Sequence, residues 1–123
     1  MPTTVPTTVP DIFFYKSTCD TCRKALKLVR ELRPGLEERN FSKTPLSRAE
    51  IERVLDLAGS VGAALNAYNK TVRANGWKAS PPPRAEYVEA VLGDNNLIRR
   101  PMLIVGDEVV IGRNEEAYGR LLA

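Results

Sequence analysis

The chain has 123 residues, 43% hydrophobic and 27% charged, a size and composition that suit one soluble globular domain with its own core and leave no room for a second. Eighteen Lys and Arg against 15 Asp and Glu give a net charge of +3, spread along the chain rather than gathered in a tract, so direct nucleic-acid binding is not expected. No stretch approaches the ~20 apolar residues of a membrane span, and the N-terminus lacks the basic-then-apolar order of a signal peptide, so no membrane association is expected and the expected compartment is the cytoplasm.

In chain order, Pro2-Thr3-Thr4-Val5 and Pro6-Thr7-Thr8-Val9 are an uncharged duplication too rich in proline for regular structure. Residues 1–10 are therefore predicted to be a disordered tail, with a single domain over 11–123. Ile12-Phe13-Phe14-Tyr15 is β-prone and apolar on both faces, as a buried central strand should be. From Asp20 the period changes, with Cys22, Ala25, Leu26, Val29 and Leu32 recurring at three- and four-residue steps between basic residues. This predicts an amphipathic helix, stopped by Arg33-Pro34-Gly35 and followed by a weakly patterned strand over 36–41. Together these segments make a β-α-β unit.

Residues 42–97 are predicted to be a mainly helical insert. Ser47-Arg48-Ala49-Glu50 is a capping box with Leu46 placed to staple onto Ile51, so a helix starts at Arg48 and stops at Gly59. A helical stretch over 61–75 is predicted next, then another from about Arg84 to Leu92 after the triple proline. Met102–Val105, the turn Gly106-Asp107 and Val109–Ile111 read as a hairpin. Asn114 caps a last helix bearing Ala117, Tyr118, Leu121 and Leu122. Periodicity alone supports an α/β or α+β fold.

The chemistry is carried by Cys19-Asp20-Thr21-Cys22, where the first strand hands over to the first helix. The chain has no histidine, which removes Ser-His and Cys-His pairs and the commonest nitrogen metal ligand. Cys19 falls near the helix N-cap, where unpaired N–H groups and the macrodipole favour a thiolate, making it the expected nucleophile. Cys22 lies on the apolar stripe and is the expected resolving thiol. Cys-x-x-Cys at a helix start can close a disulfide with little backbone movement. Asp20 opposes the thiolate, whereas Arg23 and Lys16 favour it. Two blander readings stand beside this one: half of a zinc site completed by carboxylates or another chain, and a structural pair of reduced thiols.

Cys19-Asp20-Thr21-Cys22-Arg23-Lys24-Ala25 resembles the opening of Spx-type proteins and, with Ser at the second cysteine, that of glutaredoxin-linked arsenate reductases. Leu97-Ile98-Arg99-Arg100-Pro101 before an apolar strand, and Gly112-Arg113-Asn114-Glu115-Glu116 at the last helix, are similar to C-terminal signatures of the same arsenate reductase ArsC/Spx family. The resemblance implies a thioredoxin-like fold, β-α-β, helical insertion, β-β-α, with a mixed four-stranded sheet. It also implies a cis peptide bond before Pro101, beside the active cysteine, where the sequence alone reads an ordinary strand start.

Family members steady an oxyanion with three arginines, whose fixed fork of donors suits tetrahedral anions. Arg100 and Arg113 match two of them, and Arg23 beside Cys22 is a further candidate for anion binding. Tyr68 stands where the third is expected, with Lys70 and Arg73 as nearby substitutes, which puts arsenate reduction in doubt. Arg99 is equally compatible with solvent. The leading expectation is a thiol–disulfide oxidoreductase with Cys19 and Cys22 catalytic, acting on glutathione mixed disulfides or arsenate. It needs no bound cofactor or metal, and glutathione, thioredoxin or glutaredoxin closes the cycle. The alternative is a Spx-like redox-switched transcriptional regulator that binds RNA polymerase.

Overall fold

The computed structural model describes residues 11–123, so the tail expected over residues 1–10 lies outside the described residues. Strand β1 (Ile12–Tyr15) leads into helix α1 (Asp20–Leu32) and strand β2 (Glu37–Asn40). Helices α2 (Arg48–Ala58), α3 (Val61–Ala64), α4 (Lys70–Ala74) and α5 (Arg84–Gly93) follow, then a 3-10 turn over Asn95–Leu97. Strands β3 (Met102–Val105) and β4 (Glu108–Ile111) and helix α6 (Glu115–Leu122) complete the chain.

The sheet order is β2-β1-β3-β4, with β1 parallel to β2 and the other pairs antiparallel. Mixed pairing follows from the connections: α1 carries the chain back across a parallel step, whereas the two-residue turn Gly106-Asp107 can join only antiparallel neighbours. The period of two sorts β1 and β3 into two cores. Ile12, Phe14, Met102 and Ile104 face the helical insert, where they pack with Ile51, Val54 and Tyr87. Phe13 and Leu103 face Ala25 and Val29 of α1 and Tyr118 and Leu122 of α6. Burial on both sides explains why β1 is apolar throughout, and each buried Phe contributes about 1.5–3 kcal/mol.

The predicted capping box is present, with the Glu50 N–H donating to Ser47 Oγ at 3.1 Å and the Ser47 N–H to Glu50 Oε1 at 2.8 Å. Leu46 and Ile51 are buried in one cluster, as a hydrophobic staple requires. Gly59 ends α2 at φ 86°, a left-handed angle that glycine adopts without penalty.

The single helix expected over 61–75 is corrected. The chain breaks at Leu65, which turns extended (φ −62°, ψ 136°) and bridges antiparallel to Ile98. The Asn66 N–H then donates to Leu97 O at 3.0 Å, and the Asn69 side chain caps α4 through the Thr71 and Val72 N–H groups. Asn66 and Asn69 offer the backbone alternatives to helix, and the bridge to Ile98 takes up the remaining groups.

Tyr87, fully buried on α5, fastens this break to the chain leading into β3. Its hydroxyl donates to Leu97 O at 3.0 Å and approaches Ala64 O at 3.3 Å. Both carbonyls keep backbone donors, Asn66 and Arg99. Tyr87→Phe should therefore cost only about 1 kcal/mol in chemical denaturation, because no acceptor is left bare. Tyr87→Ala should cost about 3–5 kcal/mol, the range for emptying a buried aromatic site.

Candidate functional site

The site begins where β1 runs out. The Cys19 N–H donates to Lys16 O at 3.1 Å, closing the turn, and Cys19 itself is extended at φ −101°, ψ 120°. That makes it the N-cap of α1, with Sγ accepting the Cys22 N–H at 3.3 Å. Cys22 lies one turn further in, with 0% of its surface exposed, on the stripe shared by Ala25, Leu26 and Val29.

The two thiols are electrostatically unlike. Partial burial raises the pKa of Cys19, but the Cys22 N–H, the Cys22 thiol and the Arg100 guanidinium beside it together outweigh burial and hold Cys19 below its ordinary value. Burial pushes Cys22 up to about 12, with the neighbouring Cys19 sulfur acting in the same direction. Cys19 therefore ionises more readily than an ordinary thiol, and Cys22 less readily.

Arg100 reaches the sulfur because β3 runs antiparallel to β1, with Phe14 opposite Met102, so the start of β3 lies beside the end of β1. The Arg100-Pro101 bond is cis. Cys19 opens into a cleft of about 640 Å³. Arg99, Arg100, Gly112 and Arg113 line one side, and Asn66, Tyr68, Asn69 and Asn96 another.

Two of the three anion-binding candidates are therefore brought together with Cys19, and Arg23 is not. Arg23 is exposed and ion-paired with Asp20 one helical turn back, against the outer surface of α1. Neither Asp20 nor Arg23 is among the groups that shift Cys19; the charge that acts on it is Arg100. Arg113 lines the cleft while its Nε donates to Glu115 Oε2 at 2.8 Å.

Arg99, compatible with solvent in the sequence, is placed in the cleft. Its N–H donates to Ala64 O at 2.8 Å, and its guanidinium lies over Gly112. A Cβ at Gly112 would sit 2.9 Å from the Arg99 guanidinium carbon, and the backbone there has φ +88°. The left-handed backbone angle calls for glycine at position 112, and a side chain there would push the flexible end of Arg99 aside. The place of Gly112 just before the signature Arg113 is the only trace of this in the sequence.

Asn96 was not singled out by sequence reasoning, yet it organises the opposite wall. Lys16 Nζ donates to Asn96 Oδ1 at 2.7 Å, and the Asn66 and Asn69 amides donate to Asn96 O at 2.9 and 3.3 Å. Tyr68 stands on the rim with 90% of its surface exposed. Neither proposed substitute for the missing arginine reaches this cleft: Lys70 is exposed at the start of α4, and Arg73 faces a neighbouring cavity. Among the described residues no cluster of three or more Cys, Asp or Glu could hold a metal ion, and no helix is long and apolar enough to cross a membrane.

A sequence model of the ArsC family matches residues 14–121. The global transcriptional regulator Spx of Listeria innocua is 27% identical over 106 residues, covering 85% of this chain and 81% of Spx. Among solved structures, the YffB (PA3664) protein superposes with a TM-score of 0.78 at 24% identity, covering 92% of this chain and 99% of its own. An arsenate reductase from Vibrio cholerae superposes at 0.74 and 19% identity, covering 91% and 97%. At these identities the structural likeness speaks for the thioredoxin-like fold, which the sheet order and helical insert share. The match over residues 14–121, together with the Cys-x-x-Cys cap and the Arg100-Pro101 bond in their expected places, makes the chain a member of the ArsC family.

Proposed function

We propose that the protein is a cytoplasmic thiol–disulfide oxidoreductase in which Cys19 attacks a glutathione mixed disulfide. The observation that carries this reading is the Cys19 sulfur itself: at the cap of α1, beside Arg100, ionised more readily than an ordinary thiol and open to a basic cleft. The Cys19 thiolate forms a bond to the glutathione sulfur, and the substrate's sulfur leaves as a thiolate that takes a proton from solvent. A second glutathione thiolate then attacks the bound glutathione sulfur, releasing glutathione disulfide and restoring the Cys19 thiolate. In the parallel route Cys22 attacks Cys19 Sγ, expels glutathione and leaves a Cys19–Cys22 disulfide for a thioredoxin- or glutaredoxin-class dithiol to reduce. Arg99, Arg100 and Arg113 hold the anionic groups of the ligand.

A second reading is favoured by the Spx relatives: the Cys19–Cys22 disulfide is a stored state that changes a contact with RNA polymerase, and nothing is turned over. Steady-state assay of the purified protein with a glutathione mixed disulfide under glutathione supply separates the two. Turnover supports the enzyme; its absence, with polymerase binding that differs between oxidised and reduced protein, supports the switch.

Iodoacetamide should alkylate Cys19 first, with a pH profile displaced below that of a free thiol. Cys22 should react more than about a hundredfold more slowly at neutral pH, since it is both buried and rarely ionised. Equal rates would overturn the assignment of roles. Cys19→Ser should abolish turnover and mixed-disulfide formation, whereas Cys22→Ser should keep glutathione-dependent turnover, because glutathione replaces a resolving thiol but not the nucleophile.

Arsenate reduction by the natural protein should be weak, with Tyr68 on the rim in place of an arginine. Tyr68→Arg should raise kcat/KM for arsenate by about tenfold or more, the scale of one charge-assisted hydrogen bond. Robust arsenate turnover without the substitution would show that the role given to the Tyr68 position is wrong.

A further inference from the structure

Next to the Cys19 cleft lies a second cavity of about 800 Å³, between the Leu65–Asn69 turn and the loop after α4. The two share Asn66, Tyr68 and Arg99, so they are neighbouring basins of one trough that meet at Tyr68. The second basin has Leu65 and Val72 among its apolar lining and adds two cations of its own, Arg73 and Lys78. Among the described residues no carboxylate lines either basin.

That absence stands out against the rest of the surface. Elsewhere arginines are matched with acids, as Arg30 with Glu38, Arg39 with Glu50, Arg84 with Glu52 and Asp56, and Arg120 with Glu108. Among the described residues, the arginines without a carboxylate partner are Arg53, Arg73, Arg99 and Arg100. The last three line the trough. Tyr68, the one large hydrophobic side chain that is exposed among the described residues, stands between them.

A tetrahedral oxyanion held at Arg100 and Arg113 would leave Tyr68, Arg73 and Lys78 without a role. An extended ligand uses all of them. One end of the trough is Cys19, whose thiol exchange requires a sulfur electrophile, and polypeptides carry one where nucleic acids do not. We propose that the trough docks an acidic polypeptide segment flanking the disulfide delivered to Cys19, with its carboxylates at Arg73 and Lys78 and an apolar side chain against Tyr68. This rests on the thiol exchange proposed above and names its substrate class.

The test uses the full-length protein and two peptides of equal length, each carrying one cysteine as a glutathione mixed disulfide followed by Asp and Glu in one and by Ser and Gln in the other. The acidic peptide should be turned over with a kcat/KM about five- to tenfold higher, an advantage that shrinks as salt is raised. The double variant Arg73→Gln/Lys78→Gln should bring the acidic-to-neutral ratio close to one, a selectivity that general damage to the fold would not remove. Equal rates for the two peptides, or an unchanged ratio in the double variant, overturn the proposal.

If neither peptide is turned over, the thiol-exchange reading fails, and docking is decided separately by fluorescence anisotropy with the same peptides bearing Ser for Cys. Tighter binding of the acidic peptide, weakened in the double variant, sustains the docking site; equal binding of both overturns it. Displacement of the acidic peptide by a single-stranded oligonucleotide of higher affinity would reassign the trough to nucleic acid.

Discussion

A sulfur caps the first helix where an oxygen usually would. Cys19 accepts the Cys22 N–H at 3.3 Å from an extended backbone, and helix capping and thiolate stabilisation are thereby the same interaction: the more negative the sulfur, the better it serves the orphan N–H. Once Cys19 is the cap, Cys22 is the third residue of the helix and must share its inward stripe with Ala25, Leu26 and Val29. That stripe seats α1 on Phe13 and Leu103. The same two strands that carry Phe13 and Leu103 run antiparallel, so the chain entering β3 arrives beside the cap with Arg100. Nucleophile, buried partner and cation are thus fixed by one turn of backbone and one strand pairing.

Much of this was legible before the structure because it depends on local chemistry. The apolar run of β1, the period of α1, the Ser47 capping box, the Gly106-Asp107 hairpin and the Asn114 cap each follow from a few adjacent residues, and each is where the sequence puts it. The failures share a different origin. The helix expected over 61–75 breaks because Leu65 pairs with Ile98, more than thirty positions away, and no window on the sequence contains both. Asn96 was invisible for the same reason, since its partners Lys16, Asn66 and Asn69 come from separate elements. Arg23 was placed beside the site by its nearness to Cys22 in sequence, yet a helix turns about 100° per residue and directs consecutive side chains apart.

The arginines show why charge counted along the chain says little about a site. A net excess of only three positive charges is compatible with an intensely basic trough, because pairing elsewhere consumes the opposite charge. Arg23 cancels against Asp20 on the outer face of α1, whereas Arg99 and Arg100 are left without acids. Gly112 is part of the same arrangement: any side chain there would displace the Arg99 guanidinium. A residue with no functional group thereby shapes the charge of the cleft.

The asymmetry of the two cysteines bears on whether the pair turns over or stores a state. A thiol pushed up to about 12, chiefly by burial, is rarely ionised at neutral pH, and greater intrinsic nucleophilicity recovers only part of that deficit. On the proposed exchange, Cys22 would compete with free glutathione through proximity rather than through ionisation. The reverse step is slowed by the same pKa. A reductant that attacks the accessible Cys19 sulfur of a Cys19–Cys22 disulfide must expel Cys22, a poor leaving group, while attack at Cys22 is blocked by burial. On the proposed chemistry a Cys19–Cys22 disulfide, once made, would be reduced slowly, and the glutathione route bypasses it. Burial of one thiol is thus compatible with either of the two proposed uses of the pair, turnover at Cys19 or a stored disulfide. On the proposed thiol exchange, the supply of free thiol would decide between them: abundant glutathione would keep Cys19 cycling, and its depletion would leave Cys22 as the resolving group that remains.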